Sequence, residues 1–323
     1  MSLEKKSLLV SAPVEFLPNL KEVMVNEFDC TFSYGANRVE IETLLDENYF
    51  QGWLVSPCPT YLIAGVMMDL CPSLKIIATP STGVNHINLK EAELRGISVF
   101  SLKGSNILDT IKASSEFTFN LMISTIRKTP YAFQGVLNGE WRESEHKYRG
   151  RELEGLTLGI IGFGRIGSNL ANYSMAFDMN VLAYDPYIEI TDSRIIQYQS
   201  MDDMLPKADV IVLSVPLNNE TYGMIDANIF MKMKSGVYFI NTSRGDVVNE
   251  KDLITFLKKK KIKAAGIDVL KGEFSGNIDK NPLVRYAKIH NNLIITPHIA
   301  GLTYDSERKA QTAAYKAIKE LLI

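Results

Sequence analysis

The stretch Thr157-Leu-Gly-Ile-Ile-Gly162-Phe-Gly164-Arg-Ile-Gly167 limits this chain more than any other. A short apolar run leads into three glycines spaced G-x-G-x-x-G. Apolar residues then return at helical spacing: Ile166, Leu170, Tyr173 and Phe177. Strand, glycine turn and helix stand in the order a dinucleotide site requires. Gly162 permits the tight turn, Gly164 lets backbone approach a pyrophosphate, and Gly167 lets helix and strand pack closely. The helix start offers N–H groups and a positive dipole end to phosphates. Glycines alone also serve ordinary turns. Here a second apolar run, Val181-Leu-Ala-Tyr184, ends in Asp185, 23 residues past Gly162. A carboxylate there can accept hydrogen bonds from both ribose hydroxyls. The competing reading is a turn built on Asp185-Pro186. No Arg follows Asp185 closely, and a carboxylate repels a 2′-phosphate, so the pattern predicts NAD rather than NADP.

A length of 323 residues suits about two domains. The net charge of −2, with both signs interspersed, points away from nucleic acid and from a membrane surface. The run Lys258-Lys-Lys-Lys261 reads as a solvated helix end. Cys30, Cys58 and Cys71 are odd in number and lack metal-ligand spacing, which fits a reduced, cytoplasmic setting. Met1-Ser-Leu-Glu-Lys-Lys leads straight into a strand, without the apolar core of a signal peptide. No run of about 20 apolar residues is present to span a membrane.

The first hundred residues alternate short apolar runs with amphipathic stretches. Strands are expected at Ser7–Val10, Trp53–Val55, Lys75–Thr79 and Gly96–Phe100, and helices at Phe16–Phe28, Tyr61–Leu70 and Asn88–Arg95. Such alternation predicts a parallel sheet wrapped by helices, with ligands beyond the carboxyl ends of the strands. Two loops stand there: Ser56-Pro-Cys-Pro-Thr60, and Pro80-Ser-Thr-Gly-Val-Asn85, where Gly83 can present N–H groups to an anion. Either also reads as plain turn chemistry. Residues 105–127 carry a long helical pattern able to take the chain between two domains. Residues 138–155 read as a polar surface crossover.

The second block predicts six strands, near 157–161, 180–184, 209–213, 237–241, 264–267 and 292–295. If all run parallel, the groups after them gather at one sheet edge: Val215-Pro216, Thr242-Ser243-Arg244, Asp268 with Glu273 beyond it, and Pro297-His298. Thr303 to Leu322 reads as a closing helix.

Arg244, Glu273 and His298 form the candidate catalytic set. A nicotinamide reaction on a carbonyl must hold the substrate, polarise its oxygen and supply a proton. Arg244 offers a planar fork for a carboxylate and a fixed charge near a developing alkoxide. His298 can donate the proton in reduction and accept it in oxidation. Glu273, if beside the other ring nitrogen, favours imidazolium and fixes the ring. Taken singly, Arg244 reads as a surface ion-pair former and His298 as a turn residue. His86, His146 and His290 read as surface or loop residues.

Four ordered segments resemble the D-isomer-specific 2-hydroxyacid dehydrogenases: Gly159-Ile-Ile-Gly-Phe-Gly-Arg-Ile-Gly167, Ile240-Asn-Thr-Ser-Arg-Gly-Asp246, Gly266-Ile-Asp-Val-Leu-Lys-Gly-Glu273 and Thr296-Pro-His-Ile-Ala-Gly301. The resemblance implies an α/β protein of two Rossmann-like, doubly wound parallel-sheet domains. It further implies that an NAD domain, 105–298, is inserted into a flavodoxin-like substrate domain, 1–104 with 299–323. It assigns Arg244 to the substrate carboxylate, His298 to acid/base work and Glu273 to supporting His298. It also implies that Thr82, Gly83 and Val84 bind the carboxylate through backbone N–H groups. The expected cofactor set is Gly162, Gly164, Arg165, Ile166, Gly167, Asp185, Val215, Pro216, Thr221, Thr242, Ser243, Asp268 and Gly301. The expected activity interconverts a small 2-oxoacid and its D-2-hydroxyacid with NAD, in a homodimer joined mostly through the cofactor domains. Other members of the fold are NADH-responsive corepressors or phosphite dehydrogenases, and both remain alternatives. Formate chemistry is disfavoured, since Glu273 stands where Gln is expected. Three features depart from the family pattern: Asn85 in place of Asp, Phe274 in place of Pro, and a longer hinge at Lys103–Ile111.

Overall fold

The computed structural model describes residues 5–273 and 277–323, so Phe274 and residues 1–4 lie outside the described residues. The chain divides into two compact units. One holds the chain up to Ile111 with Leu302–Ile323, and the other holds Lys112–Glu273 with Asn277–Gly301.

The first unit contains β1 (Ser7–Val10), β2 (Asp29–Phe32), β3 (Gly52–Leu54), β4 (Ile76–Ala78) and β5 (Ser98–Phe100). All pair in parallel, in the order β2-β1-β3-β4-β5 of the flavodoxin-like sheet. Alternate strand residues face opposite sides. Leu9, Trp53 and Ile77 therefore join one apolar cluster, and Leu8, Leu54 and Ala78 another. The helix Tyr304–Leu322 adds Ala314, Tyr315 and Ile318 to the second cluster, and the Thr303 side chain caps its start.

Three local expectations need correction here. The helix expected at Tyr61–Leu70 is confined to Gly65–Asp69. Buried Ile63 instead donates to the His86 carbonyl (2.8 Å) and accepts from the Asn88 N–H (2.9 Å), so its backbone groups are already used. That pairing also leaves His86 buried rather than on the surface. The long helix expected over 105–127 is two pieces, a 3-10 turn at Asn106–Thr110 and a helix at Ala113–Arg127. Between them Ile111 is extended and packs with Leu102 and Ala310. The break falls where the units part. β2 and the helix Arg38–Glu47 were not legible in the apolar pattern. β2 is a half-buried edge strand, and the helix announces itself by a capping box, Asn37 with Glu40.

The second unit contains β6 (Thr157–Ile161), β7 (Asn180–Tyr184), β8 (Ile195–Tyr198), β9 (Val210–Leu213), β10 (Val237–Asn241), β11 (Ile262–Ile267) and β12 (Leu293–Ile295). Its order is β12-β11-β10-β9-β6-β7-β8, all parallel. This is the Rossmann order with one further strand, and the strand order reverses between β6 and β9. The sheet thus has seven strands, not six. The addition, β8, is an edge strand of mixed character, Ile-Ile-Gln-Tyr, whose alternation is too short to read. Phe177 lies beyond the helix Arg165–Met175 and is exposed; the buried face is Gly167, Leu170, Ala171 and Ser174.

Candidate active site

One row of strand partners organises the second unit. Tyr184, Ile161, Leu213, Asn241, Ile267 and Ile295 are in register across β7, β6, β9, β10, β11 and β12. Because all the strands are parallel, the chain leaves each of these residues at the same sheet edge. Asp185, Gly162, Val215-Pro216, Thr242-Ser243-Arg244, Asp268 and Pro297-His298 follow in their loops. Residues far apart in sequence are thereby brought to one edge.

The three glycines differ in what they permit. Gly162 has φ +91°, and a Cβ there would sit 2.7 Å from the Ser214 carbonyl oxygen. A Cβ on Gly167 would strike the Gly162 carbonyl oxygen and lie 3.1 Å from Ile160, so helix and strand meet only without one. At Gly164 a Cβ would meet nothing within 4 Å. Gly164 is the N-cap of the helix Arg165–Met175 and supplies no side-chain cap, which leaves the Ile166 and Gly167 amides for a ligand. An open backbone surface over a helix start fits a pyrophosphate. Ser214 donates to the Gly162 carbonyl and braces the turn. Asp185 accepts from the Phe163 N–H (2.7 Å) with one oxygen and from the Tyr187 N–H (2.9 Å) with the other. It therefore braces the glycine turn and makes the Asp-Pro turn as well. Thr221 donates to the Pro216 carbonyl (2.6 Å) and shapes the loop after β9.

At the other half of the edge, His298 Nδ1 lies 2.7 Å from Glu273 Oε1. His298 has φ +54°, a left-handed conformation that costs a non-glycine residue free energy. Asp268 holds it there. Its carbonyl accepts the His298 N–H (2.8 Å), and its carboxylate accepts the N–H groups of Ile299 (3.0 Å) and Ala300 (2.8 Å) and the Thr296 hydroxyl (2.5 Å). Asp268 is 1% exposed, so the charge is spent on shaping the loop. Gly301, at the end of this loop, has only Ser114 Oγ near its Cβ position, at 3.7 Å.

The Arg244 turn is organised by a residue that sequence reasoning passed over. Buried Asn241 accepts from the Ser243 N–H (3.0 Å) and hydroxyl (2.7 Å) and donates to the Arg244 carbonyl (3.0 Å). An Asn at the last position of an otherwise apolar strand was the available signal. Thr242 turns its hydroxyl to Thr118 (2.7 Å), so Thr242 and Ser243 both use their side chains internally. The Arg244 guanidinium donates to the Ser243 carbonyl (2.6 Å). Next to it, Gly245 lies against the backbone of Leu270 and Lys271, which leaves no room for a Cβ. The Arg244 and Glu273 segments are thus packed side by side.

In the first unit, the Ser81 hydroxyl donates to the Gly83 carbonyl (2.7 Å) and pairs with Thr79 (2.9 Å). The N–H groups of Thr82, Gly83 and Val84 make no hydrogen bond within the described residues. His146 is exposed, and His290 stacks on Tyr286 with ring centroids 4.0 Å apart. Among the described residues no helix is long and apolar enough to cross a membrane.

The glycine turn at the switch point of a doubly wound sheet defines a dinucleotide-binding α/β domain. Residues 119–300 match the model of the D-isomer specific 2-hydroxyacid dehydrogenase NAD binding domain, and residues 60–110 match the catalytic domain of the same family. The chain belongs to the D-isomer-specific 2-hydroxyacid dehydrogenase family, and NAD is its cofactor. It is 37% identical over 243 residues to a D-3-phosphoglycerate dehydrogenase of Archaeoglobus fulgidus, a match spanning 75% of this chain but only 44% of that protein. It is 35% identical over 269 residues to a glyoxylate reductase of Thermofilum pendens, covering 79% and 74% of the two chains. Among solved structures it is similar to D-lactate dehydrogenase from Aquifex aeolicus complexed with NAD and lactic acid, with a TM-score of 0.83, 30% identity and coverage of 98% and 95%.

Proposed function

We propose that this chain is an NAD-dependent oxidoreductase that interconverts a small 2-oxoacid and its D-2-hydroxyacid. The observation that carries this reading is the His298–Glu273 pair at the sheet edge that also bears the glycine turn. The relatives named above are called after glyoxylate, phosphoglycerate and lactate, which share a carboxylate beside a carbonyl or hydroxyl carbon.

NAD, when bound, supplies or takes the hydride. The chain's residues do the rest. Glu273 accepts from His298 Nδ1–H, so Nε2 is the ring atom that faces substrate. In reduction Nε2 gives its proton to the carbonyl oxygen, and the Glu273 carboxylate stabilises the imidazolium beforehand. In oxidation neutral Nε2 takes the hydroxyl proton. Arg244 pairs with the substrate carboxylate and stabilises charge developing on oxygen. The amides of Thr82, Gly83 and Val84 are the anion-binding turn of the first unit, which we assign to substrate, as we assign residues 1–104 with 299–323. Residues 105–298 are assigned to NAD. Gly164, Arg165, Ile166 and Gly167 meet the pyrophosphate, and Asp185 the ribose. Val215, Pro216 and Thr221 line the loop beside the glycine turn. Thr242, Ser243 and Gly301 contribute backbone, and Asp268 holds the His298 loop.

We assign the protein to the cytoplasm on its cysteine usage, and to a homodimer joined through the second unit. Phe133, Leu137 and Trp141 there are 65%, 62% and 70% exposed on and just after the helix Thr129–Leu137. An apolar stripe of this kind marks an interaction surface.

The test is a screen of 2-oxoacids differing in size and charge, glyoxylate and pyruvate among them, with NADH loss followed by absorbance. Turnover that His298→Ala reduces by about 10²–10⁴ supports the reading. Tight NADH binding with no turnover on any acid would favour a corepressor instead, and turnover with phosphite a different donor.

A further inference from the structure

Glu273 reaches His298 from a very short support. It leaves the end of β11 on the turn Leu270–Glu273, in which Gly272 has φ +70°. Within the turn the Glu273 Oε2 atom accepts the Leu270 N–H (3.0 Å), while the Glu273 N–H to Leu270 carbonyl contact is long, at 3.4 Å. A carboxylate that orients an imidazole needs a backbone that does not drift.

The anchor comes from elsewhere in the chain. Glu250 opens the helix Glu250–Lys258. One of its oxygens accepts the Lys271 N–H (2.8 Å), and the other accepts from the Asn281 side-chain amide (3.0 Å). Asn281 is fixed in turn, since its carbonyl oxygen caps the helix Pro282–Ala287 through Leu283 N–H (2.8 Å). The Lys271 ammonium acts on Glu250 only through its charge and is directed to other partners. It sits 3.0 Å from the Tyr222 hydroxyl and 3.8 Å from Asp246. Burial pushes the Glu250 carboxyl above its usual range; the two N–H donors oppose the effect, Asp246 adds to it and the Lys271 charge opposes it. Burial disfavours the charge of this carboxylate, which offsets part of what its two hydrogen bonds contribute to stability. Its geometry is what it contributes.

We propose that Glu250 is a positioning residue for the His298–Glu273 pair, clamping the backbone at Lys271 so that the Glu273 carboxylate keeps its place on His298 Nδ1. The inference deepens the oxidoreductase reading and rests on it for its catalytic consequence. The geometric part stands alone.

The experiment has two arms. In the kinetic arm, Glu250→Ala lowers kcat for 2-oxoacid reduction about 10-fold or more, while the NADH dissociation constant stays within about twofold. Glu250→Gln, which keeps one acceptor for Lys271, recovers part of the loss. In the Glu273→Gln background, Glu250→Ala adds nothing, because the group it positions is already gone. In the spectroscopic arm, the downfield Nδ1–H proton signal of His298 is sharp in the wild type, absent in Glu273→Gln, and broadened by exchange with water in Glu250→Ala. Additive losses in the double variant, or an unaltered Nδ1–H signal in Glu250→Ala, would overturn the proposal. If Glu250→Ala does not fold, the same readouts on Glu250→Gln decide, with a smaller shift in the same direction expected. If the wild type turns over no oxoacid, the oxidoreductase reading falls, and the spectroscopic arm still judges the clamp.

Discussion

His298 Nδ1 lies 2.7 Å from Glu273 Oε1, although the two residues leave different strands and His298 stands in a left-handed backbone conformation. A strained residue held against a carboxylate by its neighbours is a site maintained for use rather than for stability. Replacing Glu273 by Gln keeps the shape and removes the charge. The imidazole then loses the charged acceptor that orients it, so kcat/KM falls by about 10-fold. Steady-state kinetics of variant and wild type in the two directions check this. Equal kcat/KM in variant and wild type would remove Glu273 from the proton's path.

The glycine turn separates folding from cofactor binding. Gly162→Ala places a side chain 2.7 Å from the Ser214 carbonyl at φ +91° and costs about 1–3 kcal/mol of stability. Gly164→Ala meets no protein atom within 4 Å, so its melting temperature stays near the wild type. The same methyl stands where the pyrophosphate would approach, and NADH binding weakens by about 10-fold or more, roughly 1.4 kcal/mol. Melting curves with NADH titrations distinguish the two. Equal loss of stability in both variants would contradict the division.

Asp185 bears on the choice of cofactor. The wild type is expected to prefer NADH to NADPH by about 10²-fold, as a carboxylate at the ribose repels a 2′-phosphate. Asp185→Ser retains an acceptor for the Phe163 N–H and removes the charge, so the preference narrows mainly through better NADPH binding. Dissociation constants for both nucleotides provide the check. An unchanged ratio would take Asp185 out of the discrimination.

Away from the site, Asp209 ties strands to the surface. Burial works against its charge, but Lys234 (2.6 Å), the Thr157 N–H (3.0 Å) and Arg151 together hold its carboxyl below the ordinary range. A folded-state value below the unfolded one means stability that is present above the unfolded value, near 3.9, and is lost as pH falls through the folded value. Asp209→Asn therefore costs about 1–2 kcal/mol at neutral pH and almost nothing once the native carboxyl has titrated. Urea unfolding at neutral and strongly acidic pH measures both limits. An equal cost at both would assign the loss to packing.

How far the chain could be read in advance follows from the range of each cause. Apolar runs and glycine spacing act over a few residues. β6, β7, β9 and β10, the glycine turn and the order of the loops beyond them were therefore legible in the sequence. So were the residue types those loops carry. What acts through partners far away was not. The Tyr61 segment loses part of its helix to pairing with the His86 segment, the helix after 105 breaks where Ile111 finds Leu102 and Ala310, and β8 gains its ladder only from β7. The same holds at the active-site edge. The amino-acid order alone placed an Arg, a Glu and a His at suitable intervals. Only the shared register of the strands, and the buried carboxylate and amide of Asp268 and Asn241 that bend the following loops, decided where those side chains stand. Hydrogen bonds between distant segments leave no periodic trace in a chain.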